Sequence, residues 1–167
     1  MGEKMNKFKT FFLLLITFIL QTTIFSKIDI FRANVNLILP LVISLSQILT
    51  AGVGARTGLI FGLLEDIMFS NIIGVRALSY YLIGKIVGSD RIRSRNNKNM
   101  GLVLTFIFTF INFMIVSMIN FIFNNDIAVI KYYLFIPLLS EAILNMAFYL
   151  IYYKIIKKIM YIPTYRI

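Results

Sequence analysis

Two adjacent carboxylates, Glu65 and Asp66, end the apolar stretch GLIFGLLED near the middle of the chain. A charged side chain at the centre of a membrane helix costs about 2.5–3.5 kcal/mol, so Asp66 must face something polar. Arg76 follows ten residues later, and Glu141 lies in a separate apolar segment with Asn145 one helical turn away. Counting residues along the predicted helices places these four side chains at a similar depth in the membrane. We therefore predict a buried polar cluster in which Arg76 bridges Asp66, with Glu141 and Asn145 nearby.

The predicted cluster has three possible roles. It can be an internal clamp that fixes helix packing, a site for a ligand, ion or proton, or a polar contact with a partner protein. Glu65 is placed about 100° around the helix from Asp66. We therefore expect Glu65 at the headgroup edge or against another protein.

Catalysis is not predicted for this chain. It contains no His and no Cys, which excludes Ser–His and Cys–His nucleophiles and zinc sites built from those residues. Asp66 and Glu141 could form a carboxylate pair, but no other residue completes an active site. We predict no catalytic residue, no cofactor and no metal.

A ladder of glycines precedes Asp66 on the same helix face. Gly54, Gly58 and Gly62 recur every fourth residue, and Asp66 takes the next position. Small residues at such positions let two membrane helices approach closely. The pattern favours packing against a neighbouring helix of the same chain, with dimerisation through the ladder as the alternative.

The amino-acid composition indicates whether the chain folds in water or in a membrane. The 167 residues are 59% hydrophobic and 14% charged, whereas soluble domains are about half apolar and about a quarter charged. The net charge of +10 falls into short runs between apolar blocks, a pattern of membrane topology rather than of a nucleic-acid-binding face. We predict an integral membrane protein that does not bind nucleic acid.

The apolar blocks predict an all-α fold, a bundle of six transmembrane helices that forms a single polytopic domain over residues 1–167. Blocks two to four are shorter than the others and richer in glycine, so tilted or partly broken spans, or five spans, are the alternatives. The predicted spans are 8–25, 35–51, 54–73, 74–88, 101–123 and 132–153.

The distribution of basic residues predicts the topology. Six spans with both termini in the cytoplasm place twelve of the 17 Lys and Arg residues inside and four outside. One inner segment is a basic loop, whose charges are Arg91, Arg93, Arg95 and Lys98. The basic charges of this loop are explained by the membrane topology together with contact with anionic lipids. The alternative is that the loop docks to an acidic cytoplasmic partner.

The central segment resembles the rod shape-determining MreD family. The motif is a glycine-spaced GxxxGLLxD helix, followed by a Gly and an Ala-Leu pair that open the next span. Its residues here are Gly58, Gly62, Leu63, Leu64, Asp66, Gly74, Ala77 and Leu78. Many members carry a Pro-Asp pair at the start of span two, where this chain reads ANVNL.

The resemblance implies a fold and a function. Such proteins are non-catalytic subunits of the bacterial elongation machinery in the cytoplasmic membrane. They act with the bitopic protein MreC, and through it with MreB, RodA and a class B penicillin-binding transpeptidase, to organise lateral peptidoglycan synthesis and maintain rod shape. Their fold is similar to that of S components of energy-coupling-factor transporters, so a substrate-binding S component is the alternative function.

Overall fold

The structure, a computed structural model, describes residues 7–25, 29–30, 33–93, 97–124 and 135–160, and these are predominantly helical. Within these ranges a π-helical turn, Gln21–Phe25, extends the first helix, and two two-residue strands, β1 (Asp29–Ile30) and β2 (Ala33–Asn34), pair antiparallel. The helices are α1 (Lys7–Leu20), α2 (Ile38–Ile48), α3 (Ala51–Phe69), α4 (Val75–Val87), α5 (Asp90–Arg93), α6 (Lys98–Asn124) and α7 (Ile136–Met160).

Three of the described helical segments are long and apolar enough to cross a membrane. They are Phe8–Phe25, Lys98–Phe123 and Ile136–Lys158. Their hydropathy and the wide apolar surface of the described residues confirm a predominantly helical membrane protein. The shorter apolar helix α2 measures only about 16 Å, roughly half of the hydrocarbon core.

Helix α2 lies at the centre of the packing. Ten of its eleven residues are buried, and it contacts α3, α4, α6 and α7. A helix that is apolar all round is stable only when other elements cover it on every side. The largest core cluster accordingly joins Ile38 and Leu39 of α2 to Tyr80, Phe108 and Tyr149 of three neighbouring helices.

Helix α3 is displaced towards the N-terminus relative to the predicted span 54–73. It begins at Ala51 because the Thr50 hydroxyl accepts the backbone N–H of Val53 at 3.2 Å, an N-cap that the apolar pattern alone did not indicate. It ends at Phe69, four residues before the predicted boundary. The chain then turns back into α4 through Gly74, whose φ of 103° suits glycine best.

Candidate functional site

The glycine ladder of α3 faces two neighbouring helices of the same chain. A Cβ atom on Gly58 would lie 2.7 Å from the carbonyl oxygen of Tyr80, and one on Gly62 would lie 2.5 Å from the Cα of Ala77, both on α4. Gly54 instead faces Ser46 of α2. The missing side chains therefore permit backbone contact between α3 and α4, which form the most extensive helix pair of the described chain.

Helix α4 contributes glycines of its own to this contact, which our sequence analysis missed. A Cβ on Gly84 would lie 2.7 Å from the backbone nitrogen of Ala55, and Gly88 approaches Ala51 in the same way. The spacing of four between Gly84 and Gly88 is the signal that could have indicated this second ladder. The two helices thus pack with small residues on both surfaces.

The carboxylate of Asp66 is fully buried and binds the start of α4. Its Oδ2 accepts the backbone N–H groups of Gly74 at 3.0 Å, Arg76 at 2.9 Å and Ala77 at 3.2 Å. Its Oδ1 accepts the hydroxyl of Ser70 at 3.1 Å. The first N–H groups of a helix have no partner within it, and a carboxylate there also complements the helix dipole. Asp66 therefore caps the N-terminus of α4, although it belongs to the preceding helix. Gly74, the residue at the N-cap position, has no side chain that could accept these hydrogen bonds.

Arg76 is half-buried, and it binds Asp66 through its backbone rather than through the predicted side-chain bridge. The bond from Arg76 to Asp66 comes from its backbone N–H; in the described part of the chain no ion pair joins the guanidinium to this carboxylate. Arg76 also lies in the neighbourhood of Glu65 and Glu141. The structure thus brings the four charged residues Glu65, Asp66, Arg76 and Glu141 into one region.

Glu65 is buried, which corrects the expectation that it lies at the headgroup edge or against another protein. Only 4% of its surface is exposed. Its Oε2 accepts the hydroxyl of Tyr80 at 3.0 Å, and that hydroxyl accepts the side-chain amide of Asn36 at 2.8 Å. Helix α3 is covered by both α2 and α4. The part of its circumference that faces the protein interior is therefore wide enough to bury both Glu65 and Asp66, which lie about 100° apart around the helix.

Asn145 is fully buried and links α7 to α6. Its Nδ2 donates to the hydroxyl of Thr109 at 3.1 Å, while its Oδ1 has no hydrogen-bond partner among the described residues. Glu141, one turn earlier and half-buried, lies beside Asn145. A similar bond joins α4 to α6, where the hydroxyl of Ser79 donates to Asn112 at 2.7 Å.

A second polar junction, absent from our sequence predictions, joins α2, α6 and α7. The hydroxyl of Tyr149 donates to Gln47 Oε1 at 2.7 Å, and Gln47 Nε2 donates to the carbonyl of Asn97 at 3.4 Å. Gly101 gives room for this junction, because a Cβ there would overlap the Tyr149 hydroxyl. Gln47 and Tyr149 are 102 residues apart, and no local pattern connects them.

The predicted basic loop is described only in part. Arg91 is exposed and lies with Arg93 in the short helix α5, and Lys98 is exposed at the start of α6. Arg95 and the side chain of Arg93 lie outside the described residues. The loop is thus separate from the buried polar cluster, which lies between α3, α4, α6 and α7.

Comparison with protein families identifies the family of this chain. The family model described as rod shape-determining protein MreD matches residues 3–159, which is nearly the whole chain. No curated protein and no solved structure matches. The alternative of a transporter S component receives no support from these comparisons.

Proposed function

Because the chain belongs to the MreD family of rod shape-determining proteins, we propose that it is a non-catalytic membrane subunit of the bacterial cell-elongation machinery. In this proposal it acts through an MreC-like bitopic protein, and indirectly with MreB, RodA and a class B penicillin-binding transpeptidase. It thereby organises lateral peptidoglycan synthesis. The observation that carries the proposal is the family match over residues 3–159.

The chemistry of the buried cluster supports a structural rather than a catalytic role. Asp66 accepts four hydrogen bonds from Ser70 and the start of α4, so its lone pairs are engaged inside the protein. Glu65 is likewise engaged by Tyr80. We propose that the cluster and the glycine ladders set the depth and rotation of α3 and α4, and so hold the outer surface in one shape for a partner.

We further propose that the chain crosses the cytoplasmic membrane six times with both termini inside. The excess of basic residues in the inner segments supports this topology. The short helix α2 is compatible with a crossing because its flanking residues Val35, Leu37 and Leu49 are buried, and non-helical backbone is tolerated in a membrane where protein covers it. The basic loop would then contact anionic headgroups or an acidic cytoplasmic partner.

Affinity purification tests the proposed function directly. The tagged chain is extracted from its native membrane in mild detergent, and co-eluting proteins are identified by mass spectrometry against an unrelated tagged membrane protein. We expect an MreC-like protein and further elongation proteins to be enriched, and we expect depletion of the chain to convert rod-shaped cells to spheres. Enrichment of a pair of ATPases with a membrane coupling subunit, in cells that keep their shape, would contradict the proposal and indicate a carrier.

A further inference from the structure

An apolar groove of about 590 Å³ separates α1 from α3 on the membrane-facing side of the protein. On α1 it is lined by Phe11, Leu15 and Phe18, among others, and on α3 by Ile60 and Leu64. Its volume is within the range of about 300–1,000 Å³ typical of small-molecule sites. The groove thus has room for one elongated apolar ligand.

The two walls of the groove run in the same direction. Leu13 of α1 and Val53 of α3 pack against one hydrophobic cluster, whereas the rings of Phe18 and Phe61 meet at 5.4 Å further along both helices. The groove therefore begins near the start of both helices and extends along them, past the point where these two rings meet, as far as Leu64.

One end of the groove carries a positive charge. Arg56 is exposed and forms part of the lining near the start of α3, next to the buried Thr57. The remaining lining is almost entirely hydrocarbon, with the hydroxyl of Thr10 on the opposite wall. An occupant that matches this pattern has a long apolar part and an anionic head, because an Arg guanidinium binds phosphate oxygens with paired, charge-assisted hydrogen bonds.

The length of the groove distinguishes a lipid from a protein helix. From Val53 to Leu64, α3 rises about 16 Å, close to the thickness of about 15 Å of one leaflet. A partner helix would span both leaflets, and helix interfaces in membranes prefer small residues. Phe11, Leu15 and Ile60 are large, and between them a flexible acyl chain fits better than a helix.

We propose that this groove binds one anionic phospholipid, with an acyl chain between α1 and α3 and its phosphate on Arg56. Basic sites between membrane helices commonly select anionic headgroups. The site is separate from the buried polar cluster, and the proposal does not depend on which protein partner the chain has.

Native mass spectrometry of the purified full-length chain tests the proposal. Delipidated protein is titrated with phosphatidylglycerol and phosphatidylcholine of identical acyl chains. We expect one phosphatidylglycerol to bind at a concentration about tenfold lower than phosphatidylcholine, because both phosphates can bind Arg56 but the choline ammonium of phosphatidylcholine offsets the attraction. Arg56→Gln should abolish this preference, whereas Lys85→Gln, which removes an exposed cation of α4 outside both the groove and the basic loop, should retain it.

A second variant tests the apolar part of the site. Ile60→Trp fills the groove from an exposed position, so we expect the folded variant to bind both lipids less well than the wild type. Equal binding of the two lipids by the wild type, or equal effects of Arg56→Gln and Lys85→Gln, would overturn the proposal. A photoreactive residue at position 60 should cross-link to lipid in native membranes; cross-linking only to a partner helix or to a second copy of the chain would also overturn it.

Discussion

At the scale of single residues, Asp66 has the most consequential contacts in the described structure. One carboxylate satisfies three backbone N–H groups at the start of α4 and the hydroxyl of Ser70. Each of these four groups would otherwise be unpaired in an apolar environment. Asp66 thus joins α3 to α4, because its carboxylate on α3 is the hydrogen-bond acceptor for the backbone at the start of α4.

We expect Asp66→Asn to destabilise the protein by about 1–3 kcal/mol, because a neutral amide oxygen accepts the three backbone N–H groups more weakly than a carboxylate and lacks the charge that complements the start of α4. Glu65→Gln is the matched control, because the Glu65 carboxylate accepts the hydroxyl of Tyr80 and an amide oxygen can still accept it. The two variants are compared by their thermal unfolding in detergent and by the amount of the MreC-like partner that co-purifies with each. Equal losses in both would contradict the capping role of Asp66.

Tyr80 provides a second test at this scale. Tyr80→Phe keeps the ring in the core but removes the hydroxyl that bonds Glu65 and Asn36, and we expect a loss of about 1–2 kcal/mol. A double-mutant cycle with Glu65→Ala, which removes the acceptor, should give a coupling energy of about 0.6 kcal/mol and at most about 1.7 kcal/mol, as for hydrogen bonds between membrane helices. Tyr152→Phe, which loses one bond to Thr17, is the control, and its cycle with Glu65→Ala should show no coupling.

At the scale of elements, the hairpin of α3 and α4 depends on close backbone approach. The contact combines glycines from both helices with the Asp66 cap, so the distance between the helices and their relative rotation are set together. Lipid offers no hydrophobic drive for helix association, so dispersion contacts and hydrogen bonds must supply the stability of the pair.

Two alanine substitutions in the same helix separate packing from helix propensity. We expect Gly62→Ala to destabilise the protein by about 1–3 kcal/mol, because the new Cβ meets the backbone of Ala77, which cannot move aside cheaply. Gly52→Ala meets only the Thr50 hydroxyl at 4.0 Å and should be neutral or slightly stabilising. Unfolding of both variants in the same detergent is the measurement, and a Gly62→Ala variant as stable as Gly52→Ala would refute close packing at this position.

At the scale of the whole molecule, the number of membrane crossings is the property to test. If all six predicted spans cross, the turn after α3 is outside and the start of α6 is inside. If α1, α6 and α7 alone cross from a cytoplasmic N-terminus, both points are outside. The absence of cysteine from the chain makes single-cysteine labelling free of background.

We expect Asn71→Cys to react with a membrane-impermeant maleimide in intact spheroplasts, and Lys98→Cys to react only after the membrane is permeabilised. Both positions are exposed in the structure, so accessibility depends on the side of the membrane rather than on burial. Labelling of both residues in intact spheroplasts would contradict the six-span topology and favour three crossings.

The sequence by itself determined the properties that depend on local composition. Hydropathy averaged over a helix length indicated a helical membrane protein, because transfer into lipid depends on a segment's own side chains. The spacing of Gly58 and Gly62 indicated a close helix contact, and the GxxxGLLxD motif indicated the family that the match over residues 3–159 establishes.

The tertiary structure decided which groups meet. It directed Glu65 inward to Tyr80, paired Asp66 with the backbone rather than the guanidinium of Arg76, and joined Gln47 to Tyr149 across 102 residues. Helix periodicity gives the angle between two side chains but not the width of the arc that neighbours cover. Because hydrogen-bond partners depend on how separate helices rotate and pack, these contacts are properties of the assembled helices rather than of any one segment.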